Sequence, residues 1–142
     1  MKGPADLAKG WFAKAESDLA GARALLAGPG PYDTACFHCQ QAAEKYIKGF
    51  LAWRGHPFPF THDLDELARL CDLADPGLNL HQPDVASLTD YAVKLRYDNE
   101  FWPSQEDTAE ALAVAQRIRA AILALVDPSL RPGSPGSEPG VT

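Results

Sequence analysis

Apolar residues recur every three or four positions along most of the chain, which is the spacing of an amphipathic helix. No segment shows the alternation of β-branched residues that indicates a strand, and alanine and leucine dominate. Because the connections between the predicted helices are short, we expect an all-α protein, an up-and-down antiparallel bundle of about five helices. The pattern places these helices at 5–27, 32–54, 62–74, 84–96 and 104–126.

Local signals mark the ends of several helices. The segment 28–31 consists of two glycines and two prolines, and it ends the first helix because proline cannot continue a helix. Thr61 can cap the third helix, whose first turn is acidic. Ser104 and Asp107 stand at capping-box spacing at the start of the fifth helix.

The same period predicts which side chains face the core. The predicted inner face of the first helix holds Leu7, Trp11, Ala15, Leu19, Ala22 and Leu26. The second helix has a wider apolar face, which predicts a central position in the bundle. Its stripe comprises Ala35, Cys39, Ala42, Tyr46 and Phe50, with Ala43, Ile47 and Leu51 beside it.

The composition narrows the class of protein. The chain has 142 residues, of which 46% are hydrophobic and 23% charged, as expected for one globular domain. With 13 Lys and Arg against 19 Asp and Glu, the net charge is −6, which speaks against a non-specific DNA- or RNA-coating protein. No apolar run is long enough for a membrane span, and the first residues lack the apolar stretch of a signal peptide. We therefore expect a cytoplasmic protein with no membrane association.

The end of the chain differs from the rest. Residues 127–142 are rich in Pro, Gly and Ser and hold almost no apolar side chains. Such a segment buries too little surface to offset its ordering entropy. We predict a helical bundle over 1–126 and a disordered tail over 127–142.

Three cysteines are candidates for metal or redox chemistry. Cys36 and Cys39 form a C-x2-C pair inside a predicted helix, and a zinc site would need Cys71 and His62 as further ligands. A redox pair of this spacing normally opens a helix that follows a strand. Because Cys39 and Cys71 fall on apolar stripes, we expect packed thiols, and we predict no metal and no cofactor.

Polar residues at helical spacing mark a candidate binding surface on the second helix. Gln41, Lys45 and Lys48 lie on adjacent turns of one side, and Glu44 and Lys48 form an i,i+4 pair. This stripe is either a solvated or dimer-forming face, or a cationic lining for a phosphate. His62 stands at a predicted helix start, where it either packs beside a cap or joins backbone N–H groups that hold an anion.

A second group of candidates follows the fourth predicted helix. Arg96 can bind a phosphate, or it can pair with a carboxylate such as Glu44 or Asp90. Tyr97 comes next, in a segment dense in aromatic and charged residues, and an aromatic ring there can stack on a base. The chain shows no Gly-rich phosphate loop, no Ser-His-Asp order and no metal-spaced set of carboxylates.

Four segments taken together resemble the HEPN domain family. They are AESDL at 15–19, YDTACFHCQQAAEK at 32–45, THDL at 61–64 and LRY at 95–97, in order within roughly 11–126. The resemblance implies a helical bundle that usually forms homodimers. It also implies a small bacterial or archaeal protein, often partnered with a minimal nucleotidyltransferase and sometimes part of a toxin–antitoxin pair.

The resemblance also bears on catalysis. Many HEPN proteins are metal-independent ribonucleases whose motif is Arg, four to six residues, then His, with two copies meeting across the dimer. Arg96 matches the arginine, but the histidine positions hold Phe101, Trp102 and Pro103, none of which can exchange a proton. The motif is incomplete, and we assign no catalytic residue.

Three functional hypotheses follow. The first is a non-catalytic HEPN dimer, formed through the second and fourth helices, that binds a nucleotide or a nucleotidyltransferase partner. Its candidate nucleotide-binding residues are Gln41, Lys45, Lys48, His62, Arg96 and Tyr97. The second is a diverged ribonuclease toxin, acting on RNA, that combines Arg96 with His62 or His38. The third is a purely structural dimerisation module, in which salt bridges consume the same cations and leave no pocket.

Overall fold

The computed structural model of the chain describes residues 2–133, which form six α-helices and two short 3₁₀ turns without a strand. The predicted all-α class is confirmed. The helices are α1 (Pro4–Ala27), α2 (Tyr32–Trp53), α3 (Leu64–Ala74), α4 (Pro83–Ser87), α5 (Asp90–Tyr97) and α6 (Gln105–Leu125). The 3₁₀ turns are Pro76–Leu78 and Pro128–Leu130.

The centre of the bundle is α2, which contacts α1, α3, α5 and α6, as its wide apolar face predicts. The whole predicted stripe of this helix is buried. α1 runs antiparallel to α2, since Phe12 lies against Gly49 and Gly21 lies against His38. A Cβ atom at Gly49 would lie 2.6 Å from Cε1 of Phe12, so glycine is what allows the two helices to approach this closely.

α6 runs in the same direction as α2. Near the start of both helices, Cys36 Sγ lies 3.4 Å from Thr108 Oγ1. Farther along both, Tyr46 and Arg119 bind the carboxylate of Glu16 on α1. The predicted up-and-down order of five helices would make this pair antiparallel, so the prediction is wrong for it. α3, α4 and α5 stand between the two helices, where two helices were expected.

The buried face of α1 differs in its first half from the predicted one. Ala8 and Phe12 are buried, whereas Leu7 is 46% exposed and Trp11 is half-buried. The close contact at Gly49 explains the difference, since it places Phe12 between α1 and α2. The second half of the helix follows the prediction and buries Ala15, Leu19 and Ala22.

The helix predicted at 84–96 is divided into α4 and α5 at Leu88 and Thr89. Across this point, backbone bonds connect residues three apart, such as Thr89 N–H to Ala86 O and Tyr91 N–H to Leu88 O, so the chain tightens into a turn. Thr89 Oγ1 also accepts a hydrogen bond from the backbone N–H of Leu64 at 3.0 Å. The side chain that stands at the break thus supports the start of α3.

The first residues of α3 and α6 test the predicted caps. α3 begins two residues later than predicted, because Asp63 is its N-cap and accepts from the N–H groups of Asp65 and Glu66. Thr61 instead accepts from the N–H of Asp63. The capping box of α6 is confirmed, since the Ser104 hydroxyl accepts a hydrogen bond from the backbone N–H of Asp107 at 3.0 Å.

The structured chain extends beyond the predicted bundle boundary at 126. The turn Pro128–Leu130 buries Leu130, and Arg131 Nε donates to Leu123 O at 2.7 Å. Leu130 supplies the apolar anchor that holds this short segment on the bundle. The rest of the predicted tail, 134–142, lies outside the described residues. No helix within 2–133 combines the length and apolar content that crossing a membrane requires.

Candidate functional site

The predicted cation Lys45 is paired within the bundle. Its Nζ lies 2.5 Å from Oδ2 of Asp18 on α1, and Nδ1 of His38 lies 2.9 Å from the other oxygen of the same carboxylate. Both side chains of the Lys45 pair are mostly buried, at 22% and 14% exposure. The Asp18 carboxylate therefore neutralises Lys45, which the helical spacing had predicted as a phosphate-binding residue.

Lys48 is also paired, in a network centred on Glu44. Lys48 Nζ lies 3.1 Å from Glu44 Oε2, and the two residues are only 5% and 4% exposed. Gln40 Nε2 donates to Glu44 Oε1 at 3.0 Å, and Gln41 Nε2 donates to Gln40 Oε1 at 2.7 Å. Among these residues the buried charges and amides satisfy one another, as burial requires.

His62 completes this network from the segment that precedes α3. Its Nδ1 lies 2.8 Å from Glu44 Oε1, and its side chain is 52% exposed. Because the Glu44 carboxylate only accepts hydrogen bonds, Nδ1 of His62 is the donor in this contact, and Nε2 is the ring nitrogen that Glu44 does not engage. A carboxylate that orients an imidazole in this way leaves Nε2 able to accept a proton or a hydrogen bond.

Arg96 and Tyr97 lie at the end of α5. The guanidinium carbon of Arg96 is 5.6 Å from the centroid of the Phe37 ring, and no ion pair to Arg96 occurs within residues 2–133. Neither predicted carboxylate partner is used, since Asp90 pairs with Lys94 at 3.5 Å. Tyr97 is 80% exposed.

The candidate residues lie along one face of α2 and do not meet at one point. Phe37, Gln41, Glu44 and Lys48 follow each other at spacings of three or four and so line one side of the helix. We call this side the outer face of α2. Phe37, beside Arg96, and Glu44, beside His62, are two turns apart, which is about 10 Å of helix rise.

The three positions that replace the ribonuclease histidine serve the structure of the loop after α5. Phe101 packs against Tyr91 with ring centroids 5.9 Å apart. Trp102 is 72% exposed, and its Nε1 donates to Asn99 O at 2.9 Å. Pro103 is buried. None of the three side chains can exchange a proton at the site of Arg96.

A polar cluster that the sequence did not reveal lies between α1, α2 and α6. Arg119 Nε donates to Glu16 Oε2 at 2.6 Å, and the hydroxyl of the fully buried Tyr46 donates to the same oxygen. Burial alone would raise the pKa of Glu16, but the hydrogen bonds from Arg119 and Tyr46 outweigh it and lower that pKa. Burial and Glu16 together raise the pKa of Tyr46.

The cysteines are packed thiols in the structure. All three are buried and free, and burial raises the pKa of Cys39 to about 12. Burial also raises the pKa values of Cys36 and Cys71, so none is a ready nucleophile. Within residues 2–133 no group of three or more His, Cys, Asp or Glu side chains is placed to hold a metal ion.

The fold defines the class of the protein as an all-α bundle built around a central helix, α2. The chain belongs to the HEPN domain family, whose model matches residues 8–125. It is similar to the crystal structure of ST0689, an archaeal HEPN homologue, with 27% identity, a TM-score of 0.67, and coverage of 89% of this chain and 100% of the other. It is also similar to the crystal structure of TT1696 from Thermus thermophilus, with 30% identity, a TM-score of 0.66, and coverage of 84% and 98%. No curated protein shows a significant sequence match.

Proposed function

We propose that the chain is a non-catalytic HEPN module that forms a homodimer and binds a protein partner, such as a minimal nucleotidyltransferase. The observation that carries the proposal is the state of the predicted cations. Lys45 is paired with Asp18, and Lys48 is paired with Glu44. A phosphate at these lysines would have to displace both carboxylates, whereas a protein partner on the outer face of α2 would not.

The proposed dimer contact uses α2 and α5. α5 exposes Val93 and Tyr97, at 50% and 80%, and grouped apolar side chains of this kind mark interaction surfaces. Within residues 2–133, Arg96 has no carboxylate partner and Glu100 has no cationic one. In a two-fold contact, a group on one protomer meets its complement on the other, so Arg96 and Glu100 of opposite protomers are suited to pair.

A nucleotide is the other ligand compatible with this module. Its phosphate would meet Arg96, and its base would stack on Tyr97 with Gln41 nearby on the outer face. Nucleotide binding at these residues stays a prediction. A role within a toxin–antitoxin pair is supported by the family resemblance alone.

One preparation of purified protein tests the proposal. We expect a dimer by light scattering, no cleavage of a short labelled RNA, and dissociation on Tyr97→Asp, because a charge is costly to bury in an apolar contact. Lys94→Ala is the matched control on the same helix, since Lys94 pairs within its own chain. Coexpression with a minimal nucleotidyltransferase should give a complex that survives gel filtration. A stable monomer, or RNA cleavage, contradicts the proposal.

A diverged ribonuclease is favoured by one observation, the orientation of His62. Because Glu44 holds its Nδ1, the free Nε2 could accept the proton of an RNA 2′-hydroxyl. Arg96 lies about two helical turns away along α2 and could bind a neighbouring phosphate of the same strand. Cleavage that is lost in His62→Ala and kept in His38→Ala would establish this second function in place of the first.

A further inference from the structure

Exposed apolar side chains form a second surface at the amino-terminal half of α1, away from α5. Leu7 is 46% exposed and Phe60 is 101% exposed. Between the lysines of this region, a groove of about 280 Å³ is lined by Lys2, Asp6, Leu7, Gly10, Trp11 and Lys14. We call the groove together with Phe60 the α1 patch.

Phe60 and the groove are parts of one surface. The Nζ of Lys48 lies 5.8 Å from the ring centroid of Trp11 and 5.8 Å from that of Phe60. Trp11 lines the groove, so the buried ammonium of Lys48 joins the groove to the exposed ring of Phe60.

The loop that carries Phe60 is held in a defined position. Pro57 and Pro59 restrict its backbone, and the half-buried ring of Phe58 packs against the core. Two residues after Phe60, the bond from His62 to Glu44 anchors the loop to α2. The backbone that carries Phe60 is therefore preorganised, which lowers the conformational entropy lost when a partner covers the ring.

The groove of the α1 patch carries one net positive charge in an acidic protein, since Lys2 and Lys14 line it together with Asp6. The segment 2–14 contains Lys2, Lys9 and Lys14 but only one acidic residue, Asp6, in a chain whose net charge is −6. Asp6 is already engaged at the helix start, where it accepts from the N–H of Gly3 at 3.3 Å. The lysines at the rim of the groove therefore favour an acidic partner.

We propose that the α1 patch docks an acidic segment of a protein partner, with an apolar side chain of that segment in the groove between Leu7 and Trp11. The apolar lining by Leu7 and Trp11 and the small number of lysines fit a peptide better than a nucleic acid, which needs a continuous track of cations. Lys48 lies eleven residues beyond Phe37, so the patch is separated from Arg96 by about 16 Å of helix rise. The patch can therefore be occupied independently of the proposed α2–α5 dimer contact.

A phage-displayed library of short random peptides, selected against the immobilised full chain, tests this docking site. We expect the selected peptides to combine Asp or Glu with an aromatic or long aliphatic residue. Synthetic copies should lose about tenfold or more in affinity on Phe60→Ser, since a central exposed aromatic is a typical binding hot spot. Lys14→Glu should weaken them as well and remove most of their salt dependence.

Matched variants make the result specific to this surface. Leu73→Ser removes an exposed apolar side chain from α3, and Lys94→Glu reverses a charge on α5; both should leave peptide affinity unchanged. Failure to select acidic peptides, or equal binding to the Phe60→Ser protein, overturns the proposal. Binding of single-stranded RNA that Phe60→Ser abolishes also overturns it, because the patch would then be a nucleic-acid surface. None of these results depends on whether the α2–α5 dimer forms.

Discussion

α2 carries two polar clusters on opposite sides, and they differ in what they connect. On the inner side, Tyr46 and Arg119 bind Glu16, which connects α2 to α1 and α6. On the outer side, Glu44 binds Lys48 from the same helix and His62 from a loop. The inner cluster joins three long helices, whereas the outer network joins one long helix to a connecting segment.

The two clusters also differ in what they leave for function. The inner cluster is closed, since Tyr46 is fully buried and both it and Arg119 are engaged with Glu16. The outer network is buried at Glu44 but open at His62, which is 52% exposed. The inner cluster is therefore engaged entirely within the bundle, whereas the outer network ends at an exposed imidazole that a partner can reach.

The largest effect should come from breaking the buried pair of the outer network. Glu44→Leu removes the carboxylate and leaves the Lys48 ammonium, only 5% exposed, without its partner. An unpaired buried charge is strongly destabilising, so we expect a loss of about 3 kcal/mol in the free energy of unfolding. Urea denaturation followed by circular dichroism measures it.

The double variant Glu44→Leu/Lys48→Met is the control for this prediction. It removes both charges and fills similar volume, so it should recover most of the lost stability. If the double variant is as unstable as the single one, the loss of stability comes from altered packing at residue 44 and not from the unpaired charge of Lys48.

The next effect concerns the packing of α1 on α2. In Gly49→Ala, the new methyl would lie 2.6 Å from Cε1 of Phe12 and 3.0 Å from Cβ of Trp11. Separating the helices to relieve this contact should cost about 2 kcal/mol. Gly10→Ala is the matched control, because nothing lies within 4 Å of a Cβ there, and it should be neutral or stabilising by up to about 1 kcal/mol. Equal effects in thermal denaturation would contradict the close approach at Gly49.

The inner cluster should show a smaller effect with a distinct pH dependence. Tyr46→Phe removes one donor to Glu16 and should cost about 1 kcal/mol at neutral pH. The lowered pKa of Glu16 stabilises the fold above the ordinary value of 4.5, and this contribution disappears as the pH falls through the lowered pKa. The stability difference between the two proteins should therefore shrink on acidification below that value. A difference that is constant with pH would show that the hydroxyl acts by packing alone.

The outer network shows how far local spacing predicts a site. Glu44 and Lys48 are four apart in one helix, so their pairing follows from the sequence. Asp18, the partner of Lys45, lies 27 residues away on α1, and no period within α2 indicates it. The sequence therefore identified both lysines and the local partner of Lys48, whereas the neutralisation of Lys45 depends on how α1 packs on α2.

Helix packing also limits how much of the fold local periodicity predicts. The wide apolar stripe of α2 was sufficient to place that helix at the centre, because every position of the stripe is buried. The inner face of α1 was predicted one position off in its first half, where Phe12 rather than Trp11 is buried. The burial of Phe12 is explained by its contact with Gly49 on α2. Gly49 lies 37 positions further along the chain, so the periodicity of α1 alone carries no information about this contact.

The smallest effect should come from the open end of the outer network. His62→Ala removes a half-exposed donor from Glu44, which keeps Lys48 and Gln40 as partners, so the global loss should stay below about 1 kcal/mol. The local effect should be larger, because His62 is the side chain that ties the loop before α3 to α2. Amide hydrogen exchange should accelerate at Leu64, the first residue of α3, while the α1–α2 core keeps its protection. Exchange that accelerates equally in both regions would mean that the outer network, like the inner cluster, is an integral part of the core.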